Sequence, residues 1–378
     1  MAESIDVRPV VSKRDLNSFI LFPYKLYKKI LKNPYWPAPL RIDEQTLFNK
    51  KKHPFYQHAK VQEFLAYRNR AVVGRIAGII DSLHHKYREE NVAYFGFFES
   101  IDDMSVAFAL FDTVISWAKN EGMKKIIGPI NLSTNHILGT LLNDFEGVPM
   151  IQVPYNPPYY PKLYDAYHFE KEKDHLAFLI HKDAIHLSDK IQRVADLVHK
   201  KNRVSIRTVN LKNFKKEIEI ARELYNKSWI DNSDFVPWTH EEFTFMAKDL
   251  KLALIPQLTF IAFVDGEPAG ISIALHNFNT ILVNMNGRLL PTGIFKLLRG
   301  RKKLTNFRFG IMGVLPKYRR MGIDALFVME TYKRGIALGY TNAEASLILE
   351  DNYKLIAMLT KWGLTPYRTY RVYRKALR

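Results

Sequence analysis

From Phe64 the chain reads FLAYRNRAVVGRIAGII, and from Phe260 it reads FIAFVDGEPAGISIAL. In each stretch an alternating aromatic and aliphatic run meets a short polar turn and then resumes as a second apolar run. That is the period-2 signature of an antiparallel hairpin with one covered face. Glycine falls at the same offset in both second runs, at Gly74 and Gly270. Asp265-Gly266 is a strong hairpin-turn dipeptide, and Arg68-Asn69-Arg70 is a weaker one.

The likeness continues downstream. AYFGFFES and NFRFGIMGV both read as strands holding a Phe-Gly pair, and each leads to a helical pattern, MSVAFALFDTVISWAKNEG or IDALFVMETYKRGIALG. An apolar strand follows each helix, KKIIGPI or NAEASLIL. Then come YNPPYYPKLYDAYHF and DNYKLIAMLTKWGL, helices headed by Asn156 and Asn352, and the closing strands DHLAFLI and TYRVYRK. Repetition at this scale predicts two copies of one α/β unit rather than a solenoid. LSDKIQRVADLVHKKN reads as a helical connector, so the boundary divides 1–183 from 184–378. LNSFILFPYKLYKKILKN is predicted to be an amphipathic helix that packs on the first unit, with membrane-surface contact as the alternative.

Composition narrows the class. A chain of 378 residues, 47% hydrophobic and 13% aromatic, suits two packed domains. No apolar run approaches the ~20 residues that span a bilayer, and MAESIDVRPVVSKRD has no apolar core of signal type. The absence of cysteine excludes thiolate nucleophiles, disulfides and cysteine–zinc sites, and the expected location is the cytoplasm. His84-His85 are adjacent, but no His-Glu-x-x-His helix occurs, so no metal is expected. Motifs for a serine hydrolase, a phosphate-loop NTPase and a dinucleotide-binding oxidoreductase are missing too. The net charge of +18 favours anionic partners: nucleotide coenzymes, acidic carrier proteins, RNA or anionic lipid.

The order strand, PKYRRMGI, helix, glycine, AEASLIL, EDN, helix, KWG, YRVYRK, from about Phe260 to Tyr373, resembles the core of the GNAT acyltransferases. Phe64 to Leu179 resembles a degenerate copy, and with YFGFFESIDD and GPINLSTN the whole chain is similar to tandem GNAT-like proteins of bacteria. The resemblance implies an α/β fold of two GNAT-like units in tandem, with mixed, mostly antiparallel sheets flanked by helices. It also implies a coenzyme A thioester, acetyl-CoA or a longer acyl-CoA, as co-substrate. The family turn Arg/Gln-x-x-Gly-x-Gly/Ala is followed here by Arg319, Arg320, Met321, Gly322 and Ile323, with Asp324 where the last small residue belongs. Such a turn leaves unpaired N–H groups at a helix start for a pyrophosphate, glycine permits close approach, and arginine adds charge. The first copy has ESIDDMSVA there, acidic and without the glycine, and is expected not to bind coenzyme this way. By the same resemblance the donor lies against the backbone after Val314, and Asn352 reaches the coenzyme's amide groups or merely caps its helix. The family's proton-donating tyrosine, seven residues beyond that Asn, is replaced by Leu359. Water, or another group such as Tyr318, Tyr353 or Tyr367, would have to serve instead.

Acyl transfer to an amine or hydroxyl needs a base, and Glu344, on the strand after that helix, is the first candidate, with a solvent-facing strand residue as the plain alternative. In GPINLSTNH the side chains of Asn131, Ser133, Thr134, Asn135 and His136 form either an acceptor pocket or an array of self-satisfying turns. Tyr155 lines a cleft or packs in the core, and Asn286, in VNMNGR, precedes a basic helix GIFKLLRGRKKL that is a lid, a partner site or a solvated face. The expected reaction moves an acyl group from coenzyme A, or from an acidic acyl carrier protein, to a small-molecule or lipid-precursor acceptor. A tandem GNAT arrangement also occurs in the Fem aminoacyltransferases, so transfer from aminoacyl-tRNA is a second reading. A non-catalytic binding protein is a third.

Overall fold

The computed structural model describes residues 4–183, 193, 203–232 and 235–377. The predicted connector helix lies outside the described residues, apart from Arg193. Among the described residues fifteen strands are formed: β1 Asp6–Pro9, β2 Ala59–Arg68, β3 Ala71–Asp81, β4 Val92–Ser100, β5 Lys125–Gly128, β6 Ile130–Asn131, β7 Ile137–Leu138, β8 Thr140–Leu141, β9 Glu170–His181, β10 Val204–Thr208, β11 Phe260–Val264, β12 Glu267–His276, β13 Asn306–Val314, β14 Asn342–Leu349 and β15 Arg368–Ala376. The helices are α1 Lys13–Lys25, α2 Arg41–Leu47, α3 Ser82–Arg88, α4 Met104–Asn120, α5 Tyr160–Ala166, α6 Phe214–Trp229, α7 His240–Asp249, α8 Asn279–Leu282, α9 Gly293–Arg301, α10 Ile323–Ala337 and α11 Tyr353–Lys361.

The two hairpins form as their patterns predict. Asn69 and Arg70 take φ of 48° and 65°, and Asp265 and Gly266 take 50° and 86°, so both turns have two consecutive left-handed residues. Those are the turns whose twist matches a two-residue hairpin.

Two compact units emerge, and each is discontinuous in sequence. The first comprises Met1–His175, Asn279–Lys296 and Arg368–Arg378, and the second Leu176–Phe278 and Leu297–Tyr367. In the first, the strand order is β1-β2-β3-β4-β5-β15, with β4 and β5 parallel and the other neighbours antiparallel. In the second, the order is β14-β13-β12-β11-β10, with β13 and β14 parallel and the later part of β9 beside β14. The closing strand of the chain, β15, thus belongs to the first unit, a point that the linear repeat does not convey.

Each unit covers its sheet with the helix that follows the Phe-Gly strand. On α4, Val106, Leu110, Phe111 and Val114 are fully buried against Phe95 and Phe98 of β4. On α10, Ile323, Leu326, Phe327 and Met329 pack on Phe260, Ala262 and Val264 of β11. The apolar face of α1 is core as well: Phe19 and Ile20 sit with Phe48, Val61, Leu65 and Ile79. Among the described residues, no helix is long and apolar enough to cross a membrane.

Candidate functional site

The two copies differ most where the parallel pair of strands opens towards the central helix. In the second unit, β13 and β14 are in register only from Asn306↔Asn342 to Phe309↔Ala345, although both strands continue to Val314 and Leu349. Beyond Phe309 the pair parts into a fork. A bulge marks the parting, because Ile273 faces Ile311 while Ala274 faces Phe309, leaving Gly310 unopposed. A Cβ built on Gly310 would find its nearest neighbour 3.4 Å away, ordinary contact.

In the first unit the same fork is filled by the chain itself. β4 and β5 pair from Val92↔Lys125 to Tyr94↔Ile127. The next segment then folds back so closely that a Cβ on Gly96 would lie 2.1 Å from the Ile130 carbonyl oxygen. Asn131 Oδ1 accepts a hydrogen bond from the backbone N–H of Phe97 at 2.8 Å. Phe97 has φ 51°, so the bulge of this copy is strained and held by a side-chain amide.

The helix starts differ in the same sense. Asp103 caps α4, accepting from the Ser105 N–H at 2.8 Å and pairing with Arg68 at 2.6 Å. Although burial works against it, the hydrogen bonds from Ser105 and Arg68 bring the Asp103 carboxyl down to about 2. The anion position of that helix is occupied by the protein's own carboxylate. At α10 the cap is Gly322, with φ 78° and no side-chain cap, and its carbonyl already accepts from Leu326 at 3.0 Å. The first-turn N–H groups after such a cap have no intrahelical acceptor and carry the positive end of the helix dipole. Arg320, just before it, is also left-handed at φ 84°.

The side chains around this turn divide into supports and exposed groups. Met321 and Ile323 pack into the core with Val314 and Tyr318, so only their backbone is available. Arg319 is turned back, donating to the Ser228 carbonyl at 2.8 Å and to Val314 O at 3.4 Å. Arg320 and Asp324 are exposed. Asp324 stands in the first turn of α10 rather than at its cap, because the left-handed Gly322 takes that place. Asn352 caps α11, accepting from the Leu355 N–H at 3.4 Å, and is exposed.

Glu344 is not solvent-facing. It is fully buried on β14, opposite Arg308 in the last registered part of the parallel pair. Tyr367 donates to its Oε2, and its Oε1 is buried with no partner. Arg308, also buried, reaches across to Ser346, donating to Oγ at 2.8 Å and to the carbonyl at 3.3 Å. Sequence reasoning did not single out Arg308. An arginine in an otherwise apolar strand, RFGIMGV, was the available signal. Leu359 is 2% exposed and belongs to a core cluster of the same unit.

The first-unit candidates are held largely by internal bonds. Ser133 Oγ bonds His136 Nδ1 at 2.9 Å and accepts from the Asn135 N–H at 3.3 Å, and His136 packs edge-on against Phe55. Thr134 is half-buried in the same turn. Tyr155 donates to the Phe145 carbonyl and accepts from Asn33, both at 2.9 Å. Asn286 is exposed at φ 49° in a tight turn with Gly287. Asn156 does not cap α5: its amide exchanges bonds with the backbone of Leu141, and Tyr159 precedes the helix instead.

A half-buried carboxyl with a shifted proton affinity lies in the first unit. Glu99 accepts from Tyr160 at 2.6 Å, and burial pushes its carboxyl up to about 7 even though Arg75, Tyr160 and Tyr27 favour the charged form. In the second unit, burial and then Arg301 hold His276 down to about 4. Among the described residues, no group of side chains could hold a metal ion.

Comparison with known proteins bears on the family and the fold. No protein-family model matches the chain. Protein YghO of Escherichia coli is 34% identical over 98% of this chain and 95% of its own length. A bacterial ceramide synthase of Caulobacter vibrioides is 31% identical over 99% of this chain and 98% of its own. Among solved structures, a tandem GNAT protein from the clavulanic acid biosynthesis pathway matches 99% of both chains with a TM-score of 0.57 at 10% identity. A GCN5-related N-acetyltransferase from Sphaerobacter thermophilus matches 99% of this chain and 96% of its own, with a TM-score of 0.52 at 12% identity. The fold is that of the tandem GNAT proteins.

Proposed function

This chain belongs to the family of Escherichia coli protein YghO and the Caulobacter bacterial ceramide synthase, and we propose that it is an acyltransferase carrying an acyl group from a coenzyme A thioester to the amine of a lipid precursor. The observation that carries this reading is the contrast between Gly322, which leaves the start of α10 without a side-chain cap, and Asp103, which fills the same position on α4. The forks differ in parallel: β13 and β14 are unpaired past Phe309, whereas the first-unit fork is closed by Ile130 and Asn131.

The residues present fit such a donor. N–H groups of the first turn of α10 suit the pyrophosphate, with exposed Arg320 adding charge and glycine allowing close approach. The edge of β13 from Gly310 to Val314 that β14 does not cover suits an extended amide-bearing arm, as an added strand would. The coenzyme supplies the activated thioester when bound.

In the transfer, the acceptor nitrogen forms a bond to the thioester carbonyl carbon, the carbon–sulfur bond breaks, and the amine proton must leave. Glu344 Oε1, buried and unpartnered, suits that proton, and Tyr367 on Oε2 fixes the carboxylate. Tyr318, half-buried beside the turn, is the proposed donor to the departing sulfur. A ceramide is an N-acyl amide of a long-chain amino alcohol, so the name of the Caulobacter relative favours an amine on a hydrocarbon chain as acceptor. Coenzyme A thioesters are cytoplasmic metabolites, and the reaction is read as cytoplasmic.

The test is incubation of the purified protein with a long-chain acyl-CoA and a long-chain amino alcohol, reading free thiol and N-acyl amide by mass spectrometry. Both products should form together. Salt-sensitive binding of tRNA with no response to coenzyme A would instead favour transfer from aminoacyl-tRNA, and no response to either would favour a binding protein.

A further inference from the structure

From residue 268 to residue 323 the chain contains no aspartate or glutamate. Lys296, Arg299, Lys302 and Lys303 fall in or just beyond α9 within that stretch. The helix turns little of its apolar surface inward. Leu297 is 6% exposed, whereas Leu290 is 72%, Ile294 40%, Phe295 61% and Leu298 52% exposed. No other stretch of the described chain gathers so many exposed large apolar side chains.

Ile294 and Leu298 are one turn apart, and Phe295 and Leu298 are three residues apart, so the three share one side of the helix. At about 100° per residue, Arg299 and then Lys296 continue round the helix from Phe295, and exposed Lys302 and Lys303 follow directly in the turn that ends it. Arg301 points elsewhere, donating to the Leu254 carbonyl at 3.4 Å. The outer surface of α9 therefore carries an apolar ridge bordered by cations and by no anion.

We propose that α9 seats on the surface of a bilayer containing anionic lipids, with Ile294, Phe295 and Leu298 entering the acyl boundary and the lysines and Arg299 meeting headgroup phosphates. This partner is the one that matches both properties at once. RNA would satisfy the cations but leave the apolar ridge in water. A second copy of this chain would bring a net charge of +18 against the same sign. The inference does not rest on the acyltransferase reading, but it would bring a protein that uses a lipid precursor to the place where that precursor resides.

The experiment is co-sedimentation of the full chain with vesicles of phosphatidylcholine alone and of phosphatidylcholine mixed with phosphatidylglycerol. Binding is expected to the mixed vesicles, to weaken with salt, and to fall about fivefold for each charge removed in K302Q and K303Q. F295D with L298D should reduce binding by at least about tenfold for each side chain while leaving the melting temperature unchanged, since both are exposed. In F295W the indole emission should shift to the blue on mixed vesicles only. The proposal is overturned if the protein stays in solution with the mixed vesicles, or if F295D/L298D binds as the parent does. It is also overturned if tRNA binds the parent and F295D/L298D equally while vesicles bind neither.

Discussion

Tyr367 donates its hydroxyl hydrogen to Oε2 of Glu344, while Oε1 of the same carboxylate is buried without a partner. A buried acceptor left unmade costs on the order of 1–3 kcal/mol. Here the cost falls on a strand residue in the registered part of the parallel pair, and in the proposed mechanism an incoming amine N–H would satisfy it.

Glu344→Gln removes the proposed base and keeps the shape. It should lower kcat by about 10²- to 10⁴-fold, with coenzyme A binding and melting temperature close to the parent's. Tyr367→Phe should lower kcat less, since it loosens the carboxylate without removing it. Steady-state kinetics beside thermal melts would check both, and full activity in the glutamine variant would remove Glu344 from the mechanism.

The two Phe-Gly strands should respond oppositely to alanine. Gly96→Ala drives a methyl to 2.1 Å from the Ile130 carbonyl oxygen, a backbone atom that cannot swing away. It should cost about 1–3 kcal/mol or more. Gly310→Ala meets nothing nearer than 3.4 Å and should melt within a degree or two of the parent. The same methyl would intrude on the fork, so Gly310→Ala should weaken coenzyme A binding while sparing the fold.

Removing the cap in the first unit tests the other half of the contrast. Asp103→Ala strips α4 of its side-chain cap and should cost about 0.5–2 kcal/mol in denaturant unfolding. Its pairing with Arg68 adds little, because both side chains are partly exposed. Acyl transfer should be unaffected. A large loss of activity would mean that the first unit takes part in donor binding.

Half-buried Glu99 and buried His276 give the stability curve opposite slopes. Glu99 is raised to about 7, so the folded protein holds a proton that the unfolded chain has released. Its contribution is present below about 4.5 and is lost as pH rises towards 7. His276 is lowered to about 4, so the unfolded chain binds the proton first. Its contribution is present above about 6.5 and is lost as pH falls towards 4. Denaturant titrations should show Glu99→Gln flattening the fall in stability towards neutral pH and His276→Gln flattening the acid limb. Unchanged slopes would mean that neither group is shifted by its surroundings as described.

Much of the fold was legible because it is local. Hairpin turns, amphipathic helices and the duplication all leave short-range patterns, and each predicted hairpin formed at its quoted residues. Less was legible wherever a long-range partner decides the outcome. GPINLSTNH reads as a polar cluster, yet Asn131 is spent on Phe97 and Ser133 on His136. Asn156 resembles a cap and instead bonds Leu141 across the fold. Glu344 alternates with apolar neighbours in a strand that one-sided burial would leave half exposed, but cover on both faces buries it. Arg308 gave no motif, and its reach to Ser346 exists only because β13 and β14 are parallel neighbours.

Calorimetric titration of the purified protein and of Gly322→Val with coenzyme A tests the central claim most directly, with ligand-free melts confirming that the variant is folded. The parent should bind, and the folded variant, whose φ of 78° no longer suits its residue and whose side chain crowds the helix start, should not. Equal binding by both, or none by the parent, would contradict the assignment of the open start of α10 as the anion cradle.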